Sequence, residues 1–89
     1  MARTGQPATR QVAVVQRALT ILGELADART ELGTNEIARR TGINVSTISR
    51  ILATLVSGGL VEYVAATGRY RLGLGVVRLA SAVHERLDI

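Results

Sequence analysis

The chain has 89 residues, enough for one domain with a modest core and too few to carry a catalytic cleft beside it. It is 47% hydrophobic but only 2% aromatic, so the core must be built from Leu, Ile, Val and Ala, and the lack of Cys excludes disulfides and thiolate zinc sites. The formal net charge is +4, with 11 Arg and no Lys, a balance suited to a polyanion whose counterions are released on binding.

Residues 1–11 show no periodicity and read as a flexible N-terminal arm, without an apolar run that could act as a signal peptide. No later stretch is long and uncharged enough to span a bilayer, so the expectation is a cytoplasmic protein without a membrane partner. From residue 12 to residue 28 apolar residues recur at helical spacing in two adjacent stripes. Val14, Ala18, Ile21 and Leu25 form one; Val15, Leu19, Leu22 and Ala26 form the other. A face that wide can serve both a core and a partner.

After a connection through Glu31, Leu32 and Gly33, Thr34 is placed to cap a short helix with Ile37 and Ala38 facing inward. Gly42 supplies a tight turn, and Asn44 or Val45 opens a second helix running to about Ser57. On a wheel of about 100° per residue, Ile48, Ile51, Leu52 and Leu55 make its buried stripe. Ser46, Arg50, Ala53 and Ser57 lie opposite, with Ser49 at the margin. Gly58 and Gly59 end the helix, and a hairpin follows from residues 60–64 and 69–72 around a four-residue loop. The alternation pairs Val61 with Leu72, Glu62 with Arg71, Tyr63 with Tyr70 and Val64 with Arg69, which separates an apolar, aromatic face from a charged one. A last helix carries Val76, Leu79, Ala80, Val83 and Leu87, and no Gly or Pro ends it before Ile89.

The expected fold is therefore mainly α with a small β-hairpin, a winged helix-turn-helix followed by a C-terminal linker helix. This order presents a helix to a DNA major groove and a ribbon to the backbone or minor groove. The candidate DNA-binding residues follow. Thr34 and Asn35 stand at a helix N-terminus whose amides can hold a phosphate. Asn44, Val45, Ser46, Thr47, Ser49 and Arg50 stand on the second helix, where hydroxyls suit phosphates or base edges and Arg50 can reach guanine with two donors. Val45 can meet a thymine methyl. Arg69 and Arg71 lie on the charged face of the hairpin, with Arg69 favoured for phosphate because Glu62 can occupy Arg71. Ser46 or Thr47 can alternatively serve as a helix cap. Tyr63 and Tyr70 read as packing residues, and His84 as an exposed helix residue.

No pair of carboxylates, His cluster or phosphate loop is present, so no catalytic residue, cofactor or metal is expected, and the protein does not read as an enzyme. A winged helix can also serve as a protein-interaction module, and this is the competing reading.

The stretch Glu36-Ile37-Ala38-Arg39-Arg40-Thr41-Gly42-Ile43, then Ser46-Thr47-Ile48-Ser49-Arg50-Ile51-Leu52 with Leu55, Gly59-Leu60-Val61 and Tyr70-Arg71-Leu72-Gly73, closely resembles the DNA-binding domain of IclR-type transcription regulators. Val15-Gln16-Arg17-Ala18-Leu19 is similar to that family's first helix. The resemblance implies a repressor or activator that binds double-stranded DNA as a homodimer or higher homo-oligomer, with a small-molecule effector held by a second domain. On this reading residues 12–73 are the DNA-binding domain and residues 74–89 a linker helix toward an effector-binding domain missing from this chain. Where many relatives begin the recognition helix with Pro and Lys, this sequence has Asn44 and Val45, so an operator preference does not transfer.

Overall fold

The computed structural model describes residues 10–87. The arm expected over residues 1–11 lies outside the described residues except for Arg10 and Gln11.

The first helix, α1, spans Ala13–Ala28. Its inner stripe places Ile21 and Leu25 in the core at 0% and 2% exposure, while Val15 and Leu19 on the neighbouring stripe stay 56% and 64% exposed. The helix stops at Arg29, which adopts a left-handed conformation with φ 56° and ψ 20°. For a residue with a Cβ this costs about 1 kcal/mol, so packing on both sides must hold the bend.

Beyond the bend, Leu32 is buried, and its N–H and C=O exchange hydrogen bonds of 2.9 and 2.8 Å with Tyr70. The residue expected only as connection thus forms an isolated antiparallel bridge to the edge of the two-stranded sheet. This extended residue also moves the helix cap. Gly33, not Thr34, is the N-cap of α2 (Thr34–Thr41), and its N–H donates to the Glu36 carboxylate at 3.4 Å. Thr34 becomes the first helical residue.

Gly42 ends α2 at φ 75°, a conformation a side chain would resist, and its N–H closes on Ala38 O at 2.9 Å. Thr41 stiffens the turn, donating its hydroxyl to Ile37 O at 2.8 Å and accepting the Ile43 N–H at 3.2 Å. The next helix, α3, spans Val45–Ser57, and its cap is Asn44, whose Oδ1 accepts the Ser46 N–H. The cap proposed for Ser46 or Thr47 therefore falls to Asn44. Its side chain lies just before the first turn and reaches the free amides from outside the helix. Ile48, Ile51 and Leu52 are buried as expected, while Leu55 is only partly buried against the core.

The hairpin comprises β1 (Val61–Val64) and β2 (Arg69–Leu72), antiparallel in the expected register. Tyr63 and Tyr70 pack with ring centroids 5.1 Å apart. Tyr70 is half-buried against the core and Tyr63 is 51% exposed. After the wing the backbone presses against the end of α3: Gly73 N–H donates to Leu60 O at 2.8 Å and Gly75 N–H to Gly59 O at 2.9 Å. A Cβ at either glycine would stand 2.6 Å from the Gly59 carbonyl oxygen, so neither has room for a side chain. The last helix, α4 (Gly75–Leu87), buries no residue, and His84 is exposed on it.

One core unites the parts: Ile21 and Leu25 of α1, Leu32, Ile37 of α2, Ile48, Ile51 and Leu52 of α3, and Val61 of β1. Burying each such side chain contributes about 1.5–3 kcal/mol before entropy is counted. Among the described residues, four helices and an antiparallel hairpin in this order make a winged helix-turn-helix. No helix among the described residues is long and apolar enough to cross a membrane.

Candidate nucleic-acid interface

The interface starts from α3, because Ile48, Ile51 and Leu52 fix which side of that helix faces water. Val45, Ser46, Ser49, Arg50, Ala53 and Ser57 are exposed, and Val45 offers an apolar surface at 41% exposure. Thr47 is half-buried. With Arg50 and Thr54 it lines a groove whose other wall is Val14, Arg17 and Ala18 of α1. Arg50 makes no ion pair among the described residues, so its guanidinium is available to an external acceptor.

Ser46 is tied to the helix cap. Its hydroxyl donates to Asn44 Oδ1 at 2.6 Å, in addition to the amide bond at 2.8 Å. In this arrangement its proton is engaged by Asn44 and its lone pairs are open to an external donor. Asn44 retains its side-chain N–H groups as the donors of this pair.

A second group gathers between α2 and the wing. Thr34, Asn35, Arg39, Thr67, Gly68 and Arg69 line one polar cleft, with Glu36 at its side and part of that carboxylate engaged by the Gly33 N–H. Thr34 and Asn35 put first-turn amides here, and Arg39 and Arg69 make no ion pair among the described residues. Two cations beside helix amides suit an anion such as a phosphate oxygen. Arg39 was not among the residues singled out from the sequence. The readable signal is its position four residues after Asn35, on the same face of α2. Its neighbour Arg40 points elsewhere and pairs with Glu24 of α1 at 3.4 Å.

Arg71 does not join this cleft. Its Nε donates to Glu62 at 2.7 Å, and its terminal nitrogen lies 3.7 Å from Glu31. The hydrogen bond to Glu62, reinforced by the Glu62 charge and by Glu31, raises the Arg71 pKa above its ordinary value. It lines a separate hollow with Leu25, Ala26, Arg29, Thr30 and Glu31. The expected site residues thus divide into an α3 surface, a cleft between α2 and the wing, and one arginine occupied by two carboxylates.

Residues 14–65 match the family model described as the IclR helix-turn-helix domain. The chain is 38% identical to the glycerol operon regulatory protein of Streptomyces coelicolor over 85% of its own length and 31% of that protein. It is 30% identical to the transcriptional repressor IclR of Escherichia coli, over 85% of this chain and 28% of that one. An IclR family transcriptional regulator from Brucella abortus has a similar structure, with a TM-score of 0.80 at 32% identity, covering 98% of this chain and 33% of the other. The chain spans about a third of the length of these relatives.

Proposed function

The chain belongs to the IclR helix-turn-helix family, the DNA-binding domain of transcription regulators, and from that premise we propose how it engages DNA. In this reading α3 enters the major groove with Arg50 and Ser49 toward base edges, Val45 toward a thymine methyl, and Asn44 and Thr47 toward the flanking backbone. Arg69, Arg39 and the first-turn amides at Thr34 and Asn35 hold a phosphate beside the groove. The observation that carries the proposal is the exposed outer face of α3, held toward solvent by a fully buried Ile48 behind it.

The proposed working unit is a homodimer. Val15 and Leu19 of α1, and Leu79, Val83 and Leu87 of α4, are between 45% and 64% exposed, leaving two apolar stripes without cover in one copy. Two-fold pairing across them places two recognition helices on an imperfect palindrome, with half-sites about one helical turn apart or a multiple of it. A small-molecule effector would act through a further domain, in the cytoplasm, where the operator DNA is found.

Titration of a duplex DNA at several salt concentrations tests the reading. Log affinity should fall linearly with log salt, by about 0.9 for each phosphate neutralised. An affinity that is absent at low salt, or indifferent to salt, would place the protein among interaction modules instead.

A further inference from the structure

We propose that Glu31 is a positioning residue for the wing, its carboxylate fixing the pose in which Arg69 meets a phosphate. This rests on the wing contact proposed above. Two strands of four residues make a marginal ribbon by themselves, so the wing's pose depends on its ties to the body. One tie is the backbone exchange between Leu32 and Tyr70, in the middle of the returning strand. The base of the ribbon is held by the burial of Val61, and toward its tip a further tie is Glu31, one residue before Leu32 in the chain.

Both oxygens of Glu31 are used. Oε1 accepts the Thr67 hydroxyl at 2.7 Å, and Oε2 lies 3.7 Å from the Arg71 guanidinium. Thr67 sits in the tip loop, and its oxygen also accepts the Arg69 N–H at 3.2 Å. The chain of contacts therefore runs from Glu31 through Thr67 to the backbone of Arg69, while Arg71, itself on β2, meets the other oxygen of the same carboxylate and pairs separately with Glu62 of β1. The side chain of Glu31 itself is 25% exposed, but Thr67 and Arg71 are exposed, so the network acts through its shared geometry and not through exclusion of water.

Position and charge predict opposite signs here. A carboxylate near a phosphate path repels DNA, so on charge alone Glu31→Ala tightens binding. If Glu31 positions Arg69, the same substitution weakens it.

The test measures affinity of the full chain for a mixed-sequence DNA duplex, since a phosphate contact is independent of sequence. Glu31→Ala is expected to weaken binding about three- to tenfold, the scale of one misplaced phosphate contact, and to flatten the salt slope by up to about 0.9. Thr67→Val, which changes no charge and keeps the reading available if Glu31→Ala fails to fold, should weaken binding similarly. Thr67→Ser should restore it. In an Arg69→Ala background, Glu31→Ala should cause no further loss. Unchanged or tighter binding by Glu31→Ala and Thr67→Val, with Arg69→Ala still weakened, overturns the positioning role and leaves the wing contact standing. No effect of Arg69→Ala refutes the wing contact and this inference with it.

Discussion

Asn44 Oδ1 accepts both the backbone N–H and the side-chain hydroxyl of Ser46, at 2.8 and 2.6 Å, immediately before the first turn of α3. One oxygen thereby caps α3 and holds the hydroxyl of a residue on its exposed face. Asn44→Ala should destabilise the domain by about 1 kcal/mol, the usual cost of a lost N-cap. In a domain of this size that is about 4–8 °C in Tm. Ser46→Ala keeps the amide bond and should cost less. A thermal melt in which the two variants reverse this order would show that the hydroxyl, not the amide, carries the cap.

Ile48 is fully buried at the centre of the core, whereas Ser57 is exposed near the other end of the same helix. Ile48→Asp should leave no cooperative unfolding transition, because it places an unpaired carboxylate among Ile and Leu side chains. Ser57→Ala should melt with the parent. Circular dichroism on both variants checks the assignment of the helix face.

Glycines in two environments should respond with opposite signs to the same substitution. At Gly75 a new Cβ meets the Gly59 carbonyl oxygen at 2.6 Å, and backbone on both sides cannot easily yield. Gly75→Ala should therefore destabilise by about 1–3 kcal/mol, as overpacking does. Gly23 lies within α1, exposed, with nothing within 4 Å of a Cβ, and Gly23→Ala should stabilise by about 0.5–1 kcal/mol. Denaturant midpoints for the pair would show the contrast, and a stabilised Gly75→Ala would mean that the α3–α4 corner is looser than this packing implies.

Much of this molecule is written in periodicities. The stripe of Ile48, Ile51 and Leu52 follows the helical period, and the alternation from Val61 to Val64 against Arg69 to Leu72 sets a register that the structure shares pair by pair. What escaped the reading has no period. The Leu32–Tyr70 bridge is one residue long. The shift of the α2 cap from Thr34 to Gly33 follows from that bridge, though Glu36 three residues after Gly33 marks the same position in sequence. Arg39 and Arg69 are 30 positions apart and converge on one cleft only once the wing has folded back beside α2. For Arg71, the neighbour Glu62 was legible from strand pairing, but Glu31 was not, because it reaches the wing from the connection between α1 and α2.

Pairing through the apolar stripes can be tested on side chains the fold does not need. Leu19 is 64% exposed and Val83 45%, so Leu19→Glu and Val83→Glu should leave the thermal transition of the isolated fold in place while halving the mass seen by light scattering. The parent should bind a palindrome more tightly than a single half-site. A parent that remains monomeric at high concentration and binds both DNAs equally contradicts the dimer.

The most direct test of the division of labour between α3 and the wing is a paired titration of Arg50→Ala and Arg69→Ala against a duplex selected by the protein and against the same duplex changed one base pair at a time. Arg50 stands on the outer face of α3 and Arg69 in the cleft beside α2, and neither has an ion-pair partner among the described residues. Arg50→Ala should lose about 1–3 kcal/mol on the selected duplex and no longer distinguish one base pair, while Arg69→Ala should weaken every duplex alike. Equal, sequence-independent losses from both variants would contradict base reading by Arg50.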